Sequence, residues 1–315
     1  KTIVSEIKMK ITNRLGLPET FRRYAERNPY QMGKADYSTT TLIDSPRQSR
    51  LKNTHRESIE EDVSDMIMSL LGTAVHSVLE GGASDDDIVE KRLFADFWGT
   101  VITGQIDLMM RNPDTEERGY ILCDYKTTSA YAIMRDPEGK DSWHHQLNVY
   151  AAIARANGFK VAGLEVVAVI RDWSARAMER SPSYPKSAVV RIPIDLWHED
   201  EANGFIESRI VAHEESKNIL PECSAEERWL TPTVWAVYKK VGTKTNKRAS
   251  KLFQGEEEAV EFARGSTEDA RRKGGKELPE YVVIKRVGES IRCKSYCSVS
   301  QWCEQWKAIK ENEND

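Results

Sequence analysis

The sequence contains no run of about 18 apolar residues, the length a membrane-spanning helix requires, so no bilayer partner is expected. Its opening residues, KTIVSEIKMKITNRLGL, are too polar for the apolar core of a secretory signal. The cytoplasm is therefore the expected location. A strong charge of either sign is also missing: 46 Lys and Arg stand against 50 Asp and Glu, a formal net charge of −4. Bulk attraction to a polyanion is thereby excluded, and any grip on nucleic acid must come from a local basic patch. Internal repeats and low-complexity tracts are absent, which removes solenoid arrays from consideration. Cysteine is sparse at five residues, yet Cys293, Cys297 and Cys303 fall within eleven positions. In a reducing compartment such clustering points to metal more than to disulfides.

What is present is the material of a soluble globular chain. Its 315 residues, 39% hydrophobic and 30% charged, suffice for one large or two modest domains with a real core. Three regions can be separated. Residues 1–55 read as an N-terminal helical segment, with LPETFRRYAERN starting a helix at Pro18 and TTLIDSPRQSRLK forming a turn and a second helix start. Residues 56–175 carry the regular patterning. Apolar residues recur at helical spacing through Ile67, Leu71, Val75 and Leu79, and Gly81 and Gly82 end that helix. RLFADFWGTVI and GQIDLMM follow as strands joined at Thr103 and Gly104. After the turn-rich NPDTEERG comes a third strand, GYILCDYKT. DSWHHQLNVYAAIARANG then predicts a helix with an acidic or Ser N-cap and a stop at Asn157 and Gly158, leading into the strand GLEVVAVIRDW. The order is helix, three strands, helix, strand. Residues 176–315 form a C-terminal subdomain holding the clustered cysteines and a basic stretch.

The chemistry begins with charges in apolar strands. Asp107, Asp124 and Lys126 interrupt otherwise apolar runs, where an unpaired buried charge would cost several kcal/mol. Alternation puts Asp124 and Lys126 on one face of their strand and Tyr125 on the other, with Asp107 able to lie beside them. Two carboxylates and an ammonium at one sheet edge can hold a hard divalent cation, with the lysine placed for a water or an anionic oxygen. A structural Asp–Lys ion pair on a solvent-facing sheet is the plainer alternative. His76, one position past Val75, would add an imidazole suited to Mn²⁺, and Gly72 one turn earlier would let another backbone approach. Gln146 and Tyr150, at i and i+4, project together and could touch a phosphate or the lysine.

LLGTAVHSVLE, GQIDLM, DYKTT and QLNVY, in this order over Gly72 to Tyr150, resemble the PD-(D/E)XK nuclease superfamily, and in particular its RecB-like branch of phage and CRISPR-adaptation exonucleases. The resemblance implies an α/β, restriction-endonuclease-like core, a mixed sheet flanked by helices, with a Cys-rich metal-bound subdomain at the C-terminus. It implies that His76, Asp107, Asp124 and the main-chain carbonyl of Tyr125 ligate Mg²⁺ or Mn²⁺. Lys126 would be the catalytic lysine, supported by Gln146 and Tyr150. Where the family often has Glu, this chain has the shorter Asp124.

The cysteines of RCKSYCSVSQWCEQW, joined by Cys223, give four thiolates that suit zinc or an iron–sulfur cluster. The resemblance implies a structural [4Fe-4S] cluster on Cys223, Cys293, Cys297 and Cys303. The spacing departs from the family's common one, so Zn²⁺ stays open. Trp229, Trp235, Trp302 and Trp306 read as packing around this centre, and Cys123 as a small buried residue. YKKVGTKTNKRASK reads as a basic hairpin whose Lys239, Lys240, Lys244, Lys247, Arg248 and Lys251 could grip a phosphate backbone, or form a solvated surface. The function expected is a divalent-metal-dependent DNA exonuclease acting on single strands or free ends, alongside recombination or replication proteins. A structure-specific or nicking endonuclease, and a non-catalytic nucleic-acid-binding module of nuclease fold, are the alternatives.

Overall fold

The computed structural model describes residues 10–26, 33–112, 119–274 and 278–314. The tip of the NPDTEERG turn, residues 113–118, lies outside them. The chain forms two compact units, Lys1–Pro221 and Glu222–Asp315.

In the first unit β1 (Lys10–Thr12), α1 (Glu19–Glu26), β2 (Tyr37–Ser38), α2 (Thr39–Ile43), α3 (Pro46–Thr54), β3 (Glu60–Asp62) and α4 (Ile67–Glu80) lead into three strands. These are β4 (Ile88–Phe97), β5 (Thr100–Arg111) and β6 (Tyr120–Thr128). They are followed by α5 (Ala130–Arg135), α6 (Asp141–Ala156), β7 (Val161–Ile170), α7 (Ala175–Arg180), β8 (Val189–Ile194) and α8 (Glu199–Glu215). The main sheet has six strands in the order β2-β5-β6-β7-β8, with β4 also paired to β5. It is mixed: β4, β5 and β6 run antiparallel in turn, β6 and β7 are parallel, and β8 returns antiparallel.

The β4–β5 hairpin turns at Trp98 and Gly99, not at Thr103 and Gly104. Phe97 pairs with Thr100, and both turn residues have positive φ, 53° and 87°, as a two-residue type I′ turn demands. Gly104 instead sits inside β5, where a Cβ would come within 2.7 Å of the Tyr150 ring. The glycine is there for an aromatic ring to lie on the strand.

Helix α6 supplies the centre of the core. Leu147, Val149, Tyr150, Ala151, Ile153 and Ala154 are buried against the sheet, and the small alanines let the helix sit close. Its N-cap is Lys140, without a side-chain cap, while Asp141 occupies the first turn and favours the helix dipole. Asn157 caps the other end as expected, with Gly158 at φ +81°. Helix α4 buries none of its residues fully, and Leu71 of the expected apolar stripe is exposed, because α4 covers only part of β5 and β6.

The breaks expected near residues 55 and 175 do not coincide with the compact units. β2 pairs with Ile102 and Thr103 of β5, and Leu42 of α2 is fully buried, so the N-terminal segment is part of the sheet's own unit. β8 extends the sheet and buries Ile192 and Ile194, and α8 holds the end of α2 through Arg209 and His213 bonds to the Leu42 carbonyl. A cut at residue 175 would strip both from the core.

The second unit contains β9 (Val234–Val241), β10 (Lys244–Thr245), β11 (Lys251–Phe253), α9 (Glu256–Lys273), β12 (Glu280–Arg286), α10 (Ile291–Ser295) and α11 (Glu304–Asn314). β10, β11 and β12 all pair antiparallel with β9. Val237, Ala259 and Ala263 form its small core, with Trp235, Phe253 and Phe262 around them. Trp235 thus belongs to this sheet's packing and not to a cysteine centre.

Candidate active site

β5 and β6 are paired only from Leu108 opposite Cys123 to Arg111 opposite Tyr120. One step further, Asp107 and Asp124 would form the next cross-strand pair, and there the ladder opens. The Tyr125 N–H donates instead to Asp107 Oδ2 at 2.8 Å. A carboxylate has replaced a ladder carbonyl, which brings the two acids together at a fork in the sheet. Burial, and then the charge of Asp124, push the Asp107 pKa up to about 7 against the opposing pull of His76 and Lys126.

The fork is occupied from both sides. From α4, His76 Nε2 lies 2.9 Å from the Tyr125 carbonyl oxygen, and its Nδ1 lies 3.6 Å from Asp107 Oδ2. Gly72, one turn before, faces the Thr127 hydroxyl, 3.2 Å from where a Cβ would stand, so a side chain and not a backbone makes the close approach. From α6, Gln146 Oε1 accepts from Lys126 Nζ at 3.0 Å, and Gln146 Nε2 donates to the Tyr150 hydroxyl at 2.9 Å. The two bonds fix which way the amide points. Lys126 Nζ also lies 2.6 Å from Asp124 Oδ2, a buried oxygen that receives no well-aligned hydrogen bond.

His76, Asp107 and the Tyr125 carbonyl therefore converge, while Asp124 turns to Lys126. The sequence reading missed Glu90. Its carboxylate reaches 3.8 Å from His76 Nδ1, and ligand atoms of His76, Glu90 and Asp107 all lie within 4.8 Å of one another. The signal lay in the register: with the turn at Trp98 and Gly99, Glu90 of β4 falls opposite Asp107, whereas a turn at Thr103 and Gly104 would put Thr100 there. An imidazole, hard carboxylate oxygens, a backbone carbonyl and a buried under-bonded carboxylate oxygen form a donor set that fits Mg²⁺ or Mn²⁺.

Beside this region, α5 and α7 border an open groove of about 730 Å³ lined by Tyr131, Met134, Arg176, Arg180 and Tyr184. Half-buried Lys140 is held below the ordinary lysine range by burial and then by Arg135, with Arg171 and Lys126 adding to the effect.

The other candidates behave differently. Cys123 is buried, and its thiol is pushed up to about 12, mainly by that burial, which makes it inert. Cys223, Cys293, Cys297 and Cys303 all lie in the second unit, none in a disulfide. Gln305 of α11 bonds both the N–H and the carbonyl of Cys223, which holds that residue near Cys303. Burial, and then Cys297 and Cys303, raise the Cys293 pKa. Among the described residues no three of these sulfurs lie mutually within 4.8 Å. The Trp229 ring lies tilted against Tyr296 and under Arg292, and Trp306 is buried.

The basic segment does form a hairpin, β9 to β10, turning at Gly242 with φ +57°. Two of its cations have local partners: Lys240 pairs with Glu280 at 3.8 Å, and Lys251 lies over the Phe253 and Phe262 rings. Lys244, Lys247 and Arg248 are exposed. No helix among the described residues is long and apolar enough to cross a membrane.

A model of the PD-(D/E)XK nuclease superfamily matches residues 86–304, a span that includes Asp107, Asp124, Lys126, Gln146 and Tyr150 and begins after His76. No curated protein matches the chain. Among solved structures, the crystal structure of SSO0001 is similar at a TM-score of 0.41 and 17% identity, over 61% of this chain and 82% of that one. Because the matched span exceeds half of the sequence, this chain belongs to the PD-(D/E)XK nuclease superfamily.

Proposed function

We propose that the protein is a divalent-metal-dependent DNA exonuclease of the RecB-like branch, working on single strands or free ends in end processing, recombination or repair. The observation that carries this reading is the line from Lys126 through Gln146 to Tyr150 beside two opposed acids at the sheet fork. A surface ion pair would need no such support. Mg²⁺ or Mn²⁺, held by His76, Asp107, Asp124 and the Tyr125 carbonyl, would supply charge to polarise a phosphoryl oxygen and acidify a water.

The side chains account for the rest. Lys126 has three N–H donors, of which Asp124 and Gln146 face two, so the third is left for an anionic oxygen of the substrate or nucleophile. A fixed ammonium loses little reorganisation energy as charge develops in the transition state. Tyr150, seated on Gly104, holds the Gln146 amide with its oxygen towards the lysine. The groove between α5 and α7, with Arg176, Arg180 and exposed Tyr131, suits phosphates and an unstacked base of a single strand. The basic hairpin adds sequence-independent grip.

Cys223, Cys293, Cys297 and Cys303 would hold a structural metal centre. Four thiolates in one unit suit a [4Fe-4S] cluster, with Zn²⁺ as the alternative. Visible absorption and metal analysis of anaerobically purified protein check this: bound iron with a broad band near about 400 nm is expected, and colourless protein with one zinc would reverse the assignment.

Linear and circular DNA labelled at the 5′ or 3′ end, single- and double-stranded, tests the activity with Mg²⁺ and with Mn²⁺. Release of short labelled products from one end, with circles intact, is expected. Cutting of circles would replace the exonuclease with an endonuclease. Binding without cleavage in either metal would refute hydrolysis.

A further inference from the structure

We infer that Glu90 supplies an additional carboxylate to the divalent-cation site and sets its preference between Mg²⁺ and Mn²⁺. The inference rests on the metal-dependent reading above and adds a residue that neither the strand alternation nor the family motifs single out.

Three independent observations converge on this side chain. Register comes first: Val89 pairs with Leu108 and Lys91 with Ile106, which leaves Glu90 and Asp107 facing each other in the β4–β5 hairpin. The carboxylate is, second, divided in its duties. Oε2 accepts from Gln105 Nε2 at 2.5 Å, while Oε1 points to the imidazole, 3.8 Å from His76 Nδ1. One oxygen is anchored and the other is aimed. Third, the backbone of Glu90 has φ +48°, a left-handed conformation inside a β-strand that is unfavourable for any residue with a Cβ. A glycine would adopt it without strain. An acidic residue kept in a glycine conformation, with one oxygen turned to the imidazole and near a second acid, is a poor stabiliser of the fold. It is a good oxygen ligand for a dication.

The charges are consistent with this role. Asp124 is already faced by Lys126 at 2.6 Å, so its charge is largely offset. Glu90 and Asp107 cluster with His76, and the charge of Lys126 acts on Asp107 only as its weakest influence. A dication held by His76, Asp107, Asp124 and the Tyr125 carbonyl would gain in Glu90 a further carboxylate to balance its charge, beside an Asp124 whose own charge Lys126 already offsets. Oxygen ligands favour Mg²⁺, and imidazole favours Mn²⁺. Loss of Glu90 and loss of His76 should therefore shift metal preference in opposite directions.

The test is metal binding by the full chain, read without catalysis. Mn²⁺ affinity is measured from the free-ion electron paramagnetic resonance signal, and Mg²⁺ affinity by its competition with Mn²⁺. Glu90→Gln should weaken both, by roughly tenfold or more, with Mg²⁺ suffering more than Mn²⁺. His76→Ala should show the reverse order. Glu90→Gly guards against a folding artefact, since it relieves the backbone: its metal-free melting temperature should match or exceed the wild type, while the rise produced by Mn²⁺ shrinks. Wild-type affinities in folded Glu90→Gln, or a Glu90→Gly protein that melts lower yet binds Mn²⁺ normally, would overturn the inference and make Glu90 structural. Asp107→Ala separates the two levels. If it loses Mn²⁺ while Glu90→Gln keeps it, Glu90 alone is excluded; if it also binds Mn²⁺ as wild type, the cation site itself is refuted, and this inference with it.

Discussion

The two units of the chain both gather residues that can do chemistry, and they gather them by different means. At the fork between β5 and β6 each candidate is fixed by a second one: Asp107 by the Tyr125 N–H, Lys126 by Gln146, Gln146 by Tyr150, and Tyr150 by the bare backbone of Gly104. In the second unit, Lys244, Lys247 and Arg248 project from a hairpin as exposed cations, and among the described residues no three of the four thiols lie mutually within 4.8 Å. The lesson is that a reacting centre needs groups held in mutual geometry, whereas a phosphate grip needs only charge on a stable surface.

Substitutions at the fork should act on rate and structure, and substitutions at the hairpin on binding. Lys126→Ala should lower the rate of DNA cleavage about a thousandfold, in the range seen when one transition-state donor is removed. DNA binding and the melting curve should stay close to wild type, so a gel-shift assay and calorimetry accompany the rate. Loss of binding in parallel with the rate would mean that Lys126 is a contact like those of the hairpin. Gly104→Ala is expected to act on structure instead. Its new Cβ would collide with the Tyr150 ring, destabilising the first unit by about 1–3 kcal/mol and loosening Gln146 from Lys126. Denaturant unfolding measures the first effect and the cleavage rate the second. A variant with full stability would show that the ring is not seated on that glycine.

The smallest change lies in the second unit. Replacing Lys244, Lys247 and Arg248 together with Gln should weaken binding equally for all sequences. It should also flatten the logarithmic salt slope by about one unit per lost phosphate contact. The rate at saturating DNA should hold. A salt slope equal to that of the wild type would return the hairpin to the status of solvated surface.

How far this contrast can be read from the sequence depends on range. Alternation places Asp124 and Lys126 on one face, and helical spacing pairs Gln146 with Tyr150, because both are local periodicities. The hairpin at Gly242 follows from its turn residues in the same way. Long-range register is where the reading fails. Trp98 and Gly99 form a tight turn with φ > 0 at both positions, and Trp is an unusual residue there, so Gly104 is mistaken for the break. That single error moves Thr100 into the place of Glu90 and hides an acid. The division into compact units is hidden from the sequence for a related reason. β2 and β8 are short strands of modest pattern, and only their pairing with β5 and β7 reveals that they belong to the main sheet. The thiols are visible as a cluster in sequence, but their spacing in space depends on α10, α11 and the Gln305 bonds to Cys223.

If the proposed reading holds, the fork between β5 and β6 binds the catalytic cation. A crystal of the full chain grown with Mn²⁺, with diffraction recorded for anomalous scattering at the manganese edge, tests it most directly. A peak bounded by His76, Asp107 and the Tyr125 carbonyl is expected, absent from Asp107→Ala crystals grown in the same way. A fork without a manganese peak, in crystals that bind the ion elsewhere, would contradict it.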